Sequence, residues 1–145
     1  MIKIIEITID DPLYTEERQL RVKVLREPLG MPGGTEFFPF EIDSRHFLAM
    51  EEEHLLGCVL FHPRPPTGKL FQMAVYPEYQ GQGVGKLLVE HLEREAVNSG
   101  LTSVFCNARW EIHQFYVSLG YRAVGEEFEE IGIRHIKMAK EMNIE

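Results

Sequence analysis

The chain is poor in cysteine, short of basic charge and without a long apolar run, and each shortage narrows what it can be. Its two cysteines, Cys58 and Cys106, sit apart in the apolar stretches LLGCVLF and TSVFCNA. Such settings suit two buried thiols in a reducing compartment better than a disulfide or a metal site. The 15 Lys and Arg against 23 Asp and Glu leave a net charge of −8, the wrong sign for gripping nucleic-acid phosphates. An acidic surface suits a cationic substrate, and equally suits plain solubility. No apolar run approaches the ~20 residues that cross a bilayer, so no membrane association is expected. The opening MIKIIEITIDDP lacks a charged segment followed by a cleavage site, and a cytoplasmic location is therefore expected. None of the six histidines pairs with cysteine or carboxylate at metal-ligand spacing, so no metal is expected either.

What is present reads as one domain over residues 1–145, with no internal repeat, low-complexity tract or linker. IKIIEITI (2–9) alternates and is rich in isoleucine, which predicts a strand. TEERQLRVKVLREPL places Leu20 and Val24 at helical spacing, with Thr15 as N-cap and Pro28 as terminator. LGMPGGTEFFPF (29–40) is a loop, but an apolar one, and its Phe37, Phe38 and Phe40 are candidates for a binding-site wall or a satellite core. RHFLAMEEE and HLLGCVLFHP predict a hairpin turning near Glu52 to His54, and KLFQMAVYP a further strand. Val84, Leu87, Leu88, His91 and Leu92 follow the 3.6 period of a helix that stops at Asn98-Ser99-Gly100. LTSVFCNA is a fifth strand. Ile112, Phe115, Tyr116 and Leu119 mark a second amphipathic helix, and YRAVGEEF and GIRHIKMAK a closing pair of strands. The result is an α/β (α+β) domain with a mixed sheet.

The most informative stretch is VYPEYQGQGVGKLLV, residues 75–89, where Gly81, Gly83 and Gly85 alternate just before a helix. A strand, a glycine-rich turn and a helix N-terminus make an anion site, because backbone N–H groups converge and the helix dipole adds positive charge. Spacing separates the possible loops. A P-loop needs glycine at position 80, which is Gln80, and Ser or Thr after Lys86, which is Leu87. A dinucleotide fingerprint needs its third glycine at position 86, which is lysine. Both fail, and a Q-x-x-G-x-G pattern is met by Gln80, Gln82, Val84 and the three glycines.

That pattern resembles the pyrophosphate loop of the GNAT superfamily of acyl-CoA N-acyltransferases. MAVYPEYQGQGVGKLLVEHLE is similar to the family's strand, loop and helix, and NARWEIHQFYVSLGY to its N-x-x-A-x-x-F-Y-x-x-L-G-F/Y segment, with a slightly different run between Asn107 and Phe115 that lacks the small residue usually seen there. Together they span about residues 70 to 125. FEIDSRHFLAM and GIRHIKMAK resemble segments of the ElaA-like branch, with Arg134 where that branch has proline. The resemblance implies a single GNAT-like domain with a mostly antiparallel central sheet and helices on both faces. It also implies acetyl-CoA as co-substrate. Backbone groups of Met73, Ala74 and Val75 would pair with the pantetheine arm, and an amide there would polarise the thioester. The N–H groups of Gln80, Gly81, Gln82, Gly83, Val84 and Gly85, with Lys86, would hold the pyrophosphate. Asn107 would hydrogen-bond the pantetheine from the other side.

Acyl transfer from a thioester to an amine needs a polarised carbonyl, a base for the amine and a proton for the thiolate. Tyr116 matches the family's general acid, a phenol of pKa ~10 against a thiol of ~8.5; it also shares the apolar stripe of its helix and would serve there as packing. For the base, His46, Glu41, His62 and His135 are candidates. His46 follows the acidic pair Glu41 and Asp43, and its ordinary pKa suits neutral pH; a structural hydrogen bond within a strand is its plainer role. Arg18 and Arg21 lie on the first helix, Arg18 reading as solvated charge. Glu126 to Glu130 read as a solvated turn. The acceptor is a small-molecule or peptide amine, left open by the sequence, and a homodimer is the commonest closed assembly. A non-catalytic acyl-CoA sensor is the alternative, since the same loop serves either purpose.

Overall fold

The structure, a computed structural model, describes residues 1–143. It contains seven strands, β1 (Ile2–Ile7), β2 (Arg45–Glu51), β3 (His54–Arg64), β4 (Thr67–Val75), β5 (Ser103–Arg109), β6 (Arg122–Glu130) and β7 (Ile133–Glu141). Three α-helices accompany them: α1 (Leu13–Leu25), α2 (Val84–Asn98) and α3 (His113–Ser118). The sheet order is β1-β2-β3-β4-β5-β7-β6. Its β1–β2, β2–β3, β5–β7 and β6–β7 pairs are antiparallel, whereas β4 and β5 pair in parallel. The chain divides into two compact units, one of Met1–His62 with Leu70–Leu92, the other of Pro63–Lys69 with Glu93 onward.

In the first unit the hairpin strands β2 and β3 are apolar at nearly every position because both their faces are covered. Leu48, Cys58 and Leu60 point to one face and pack with Leu20 of α1. Phe47 points to the other, where its ring meets His91 of α2 at 5.0 Å. Helices therefore cover both faces, as the resemblance implies. Helix α2 buries Val84, Leu88, Val89, Leu92 and Ala96, while Leu87 is 40 % exposed. Phe38 and Phe40 pack against the α1-side core, Phe40 at 4.8 Å from Phe71 and 5.1 Å from His62. The apolar loop thus fills core space, and its Pro39–Asp43 segment is a 3-10 turn.

In the second unit β5 pairs along its whole length with β7, from Ser103↔Glu141 to Arg109↔His135. Lys140 ties the last strand to the chain after α3, its Nζ donating to the Leu119 carbonyl at 2.8 Å and to Glu93 at 3.0 Å. Tyr121 donates its hydroxyl to the same Glu93 at 2.8 Å.

Three local expectations change. Thr15 lies inside α1 rather than capping it; the helix begins at Leu13, after Pro12, and the Asp11 carboxylate accepts the Leu13 N–H at 2.9 Å. Gly85 falls inside the helix expected from Val84, so the turn proper uses Gly81 and Gly83. Glu126–Glu130 are the exposed second half of β6, and the turn falls at Ile131 and Gly132, both at positive φ. Arg18 is not free in solvent: Nε and Nη2 both meet the buried Glu36 carboxylate, at 2.7 and 2.6 Å.

Candidate active site

The donor side is built by β4 and the glycine turn that joins it to α2. After Val75 a 3-10 turn, Pro77–Tyr79, leads into the exposed Gln80–Gly83 segment. Gly81 and Gly83 both stand at φ +81, a conformation that other L-residues adopt at a cost, and neither has a neighbour that a side chain would strike. What requires glycine there is the turn itself. Leu87 N–H bonds to the Gly83 carbonyl at 3.0 Å, so Gly83 caps α2. The N–H groups of Val84, Gly85 and Lys86 therefore precede the first intrahelical bond. No carboxylate lies in the first turn of α2, which leaves the positive end of the dipole unneutralised. Gln80 turns its side chain back onto the strand, Nε2 donating to the Val75 carbonyl at 2.9 Å. One carbonyl expected to face pantetheine is engaged by the loop.

Midway along β4, Gln72 stands at φ 51, a left-handed residue inside a strand. Its side-chain oxygen accepts from Arg21 Nε at 3.0 Å, and its backbone carbonyl accepts from the Cys58 thiol at 3.4 Å. Met73 and Val75 beyond it are half-buried and Ala74 buried.

Arg21, entirely buried, anchors a network of charges. Its five N–H groups all find acceptors: Gln72, Glu17 Oε2 (2.9 Å), both oxygens of Glu41 (2.8 and 2.6 Å) and the Glu36 carbonyl (2.5 Å). Glu41 also accepts from Tyr14 (2.6 Å) and from the Phe38 N–H (2.8 Å), which fills the roughly four lone-pair sites of a carboxylate. Burial pushes the Glu41 pKa up, but the bonds from Arg21, Tyr14 and Phe38 outweigh it and hold the group below its ordinary value. Burial and Glu41 push Tyr14 up to about 12.

His46 Nε2 lies 2.8 Å from the Glu41 carbonyl, which can only accept, and Nδ1 lies 2.8 Å from Glu17 Oε1. Both contacts are ones to which a ring N–H donates, which favours the imidazolium. With Arg21 it balances the two carboxylates, so the buried set is neutral. Burial lowers the His46 pKa, yet the Glu17 hydrogen bond and charge more than reverse this and raise it. In this geometry neither Glu41 nor His46 has a lone pair to offer an amine proton. The other two base candidates differ. His62 is half-buried, with Nδ1 2.9 Å from the Ser44 hydroxyl. His135 is buried, with Nδ1 bonded to the Ile133 carbonyl at 2.8 Å and Phe128 stacked on its ring.

In the second unit Tyr116 is 3 % exposed and its ring meets Tyr121 at 5.7 Å. Burial and the neighbouring Cys106 push the phenol well above its ordinary pKa, and burial takes Cys106 itself up to about 12. Asn107 is half-buried on β5, opposite Lys137. The two cysteines are buried free thiols. Among the described residues no three His, Cys, Asp or Glu side chains group as metal ligands, and no helix is long and apolar enough to cross a membrane.

A mixed seven-stranded sheet with a strand, an anion-competent glycine turn and a helix in succession is the arrangement that the resemblance to acyl-CoA-dependent transferases implies. Comparison with known proteins agrees. A model of the acetyltransferase (GNAT) domain family matches residues 35–142. A Bacillus subtilis (strain 168) protein named as a candidate acetyltransferase is 32 % identical over 94 % of both chains. Among solved structures, a candidate N-acetyltransferase from Lactobacillus plantarum superposes with TM-score 0.87 at 21 % identity, over 98 % of this chain and 99 % of that one. Escherichia coli ElaA superposes at 0.78 with 22 % identity, over 97 % and 99 %. The chain belongs to the GNAT acetyltransferase family.

Proposed function

We propose that the protein transfers an acetyl group from acetyl-CoA to a primary amine by direct attack in a ternary complex. The observation that carries this is the exposed Gln80–Gly83 turn capping an α2 whose first turn holds no carboxylate. It offers several N–H groups and a dipole to a pyrophosphate, as the family resemblance requires. Backbone groups of Met73, Ala74 and Val75 take the pantetheine arm, with an amide polarising the thioester carbonyl, and Gln80 releases the Val75 carbonyl as the arm arrives. Lys86, exposed beside the turn, adds a mobile charge, and Asn107 supports the pantetheine.

The amine attacks the carbonyl carbon, the C–S bond breaks, and the thiolate leaves. We assign Tyr116 to the thiolate. Its burial keeps it protonated and also makes it a weaker acid than the thiol, so its role is to donate a hydrogen bond that stabilises the leaving thiolate; the amine's proton passes to the base, and the thiolate takes its proton from solvent. Glu41 and His46 we assign to the buried network, leaving His62, His135 or a water chain as base. The domain is read as one GNAT-like unit over residues 1–145, in the cytoplasm, where two free thiols are at home.

Thiol release from acetyl-CoA with a panel of amines tests the proposal. Acceptor-dependent release is expected, and Tyr116→Phe is expected to lose turnover while keeping most CoA affinity. A panel giving no turnover, despite clear thermal stabilisation by acetyl-CoA, assigns the protein to sensing.

A further inference from the structure

We propose that Arg21 is a positioning residue for the acyl site: through Gln72 it sets the left-handed bend of β4 and so the direction of the backbone groups that receive the thioester. The inference rests on the reading of β4 as the strand that takes the pantetheine arm.

A residue at φ 51 in mid-strand does not hold itself there. Extended backbone is the lower-energy choice for glutamine, and a relaxed Gln72 would turn the next peptide back toward the ordinary ladder. Two grips prevent this. Arg21 Nε holds the side-chain oxygen at 3.0 Å, and the Cys58 thiol donates to the backbone carbonyl at 3.4 Å. The thiol grip is weak, because S–H is a poor donor. The guanidinium grip is rigid, because its other four N–H groups are fixed by Glu17, Glu41 and the Glu36 carbonyl. Those partners are fixed in turn: Glu17 by His46, and Glu41 by Tyr14 and the Phe38 N–H. Residues from α1 and the 36–41 turn thus converge on one planar fork, with His46 of β2 behind them, and the remaining N–H of the fork reaches β4. Lysine could balance the carboxylates, but it has no planar fork to reach all of these acceptors in fixed directions.

The test compares two ligands in four variants. Acetyl-CoA spans the loop and β4, whereas adenosine 3′,5′-bisphosphate has no pantetheine and reports on the loop side and fold alone. Gln72→Ala removes the tie while leaving the strained φ unfavourable, and about a tenfold loss of acetyl-CoA affinity is expected, with the bisphosphate unchanged. Gln72→Gly adopts the bend unaided and is expected to keep most of the affinity. Arg21→Lys is expected to repeat the Gln72→Ala pattern, and the double variant Arg21→Lys/Gln72→Gly to recover. Unchanged acetyl-CoA affinity in Gln72→Ala overturns the proposal, as does a loss shared equally by both ligands or a Gln72→Gly no better than Gln72→Ala. Should Arg21→Lys fail to fold, the two Gln72 variants still decide. If the wild-type protein itself binds no acetyl-CoA, the reading of β4 as donor strand fails first.

Discussion

Adding one methyl group at Gly57 sets two known effects against each other. Gly57 lies in β3 with ordinary backbone angles, so alanine meets no conformational bar there. On that ground alone Gly57→Ala would stabilise the chain by about 0.4–1 kcal/mol, by restricting the unfolded state. A Cβ built at this position, however, falls 2.9 Å from the Ala74 carbonyl oxygen, 3.1 Å from Val75 Cγ2 and 3.3 Å from Val84 Cγ1. The nearest of these is backbone of β4 and cannot rotate away. Overpacking of this kind costs about 1–3 kcal/mol, so the contact outweighs the entropy gain. The expected net is a destabilisation of about 1–2 kcal/mol, or about 2–8 °C in Tm for a chain of this size. The displaced groups are also the end of the donor strand and the start of α2, so acetyl-CoA affinity should fall in a protein that remains folded. Thermal melts with and without acetyl-CoA read both effects. A variant as stable as the wild type, with equal donor affinity, refutes the claim that β3 needs glycine for close approach to β4.

The remaining predictions concern the buried charges and the core. The His46 pKa is raised in the folded state, so its contribution is complete below about 6.5 and fades as pH climbs from there through the folded value. Urea unfolding of His46→Gln should therefore lose the alkaline-side decline expected of the wild type; an identical pH profile would contradict the imidazolium. The Glu41 pKa is depressed, so its contribution is present above about 4.5 and lost as pH falls through the folded value. Glu41→Gln should flatten the acid limb in the same experiment. Leu48, fully buried between α1 and the hairpin, should cost about 2–5 kcal/mol as Leu48→Ala, measured by denaturant midpoint. Tyr121→Phe leaves Glu93 with Lys140 alone and should cost about 0.5–1.5 kcal/mol.

How far the sequence carried the reading depended on the range of the interaction. The glycine turn was legible because its demand is local: positive φ at Gly81 and Gly83 is written in those two residues. Strands and helices were legible where one face repeats, as in Val84, Leu88 and Leu92. The α1 cap was misplaced because Asp11 and Thr15 are both good capping types, and the sequence does not say which one meets the first free N–H. The buried network lay further out of reach, since Arg21 meets partners 20 and 51 positions away, in Glu41 and Gln72. A signal was nonetheless present. Leu13, Glu17, Leu20, Arg21 and Val24 lie on one helical face, and charges on a face that also carries the apolar stripe must be buried and paired or must kink the helix away. Gln72 is marked only indirectly: the alternation of β4 breaks there, with Leu70 and Phe71 both buried and Gln72 and Met73 both half-buried, but nothing in a glutamine signals a left-handed φ.

The network poses an energetic question that the fold alone does not answer. Apolar side chains of similar volume would hold α1 against the hairpin at least as well, since replacing a buried ion pair in that way is often neutral or stabilising. Apolar contacts, however, are indifferent to direction. They can press a helix onto a sheet but cannot pull one side-chain oxygen in β4 along a fixed vector. A guanidinium held on both nitrogens of its fork can do so, and it does so at the one residue of β4 whose backbone is left-handed. On that proposal Glu41 and His46, sought in the sequence as the groups that handle the amine's proton, act at a distance: they fix Glu17 and Arg21, Arg21 fixes Gln72, and Gln72 orients the strand where the thioester is proposed to lie.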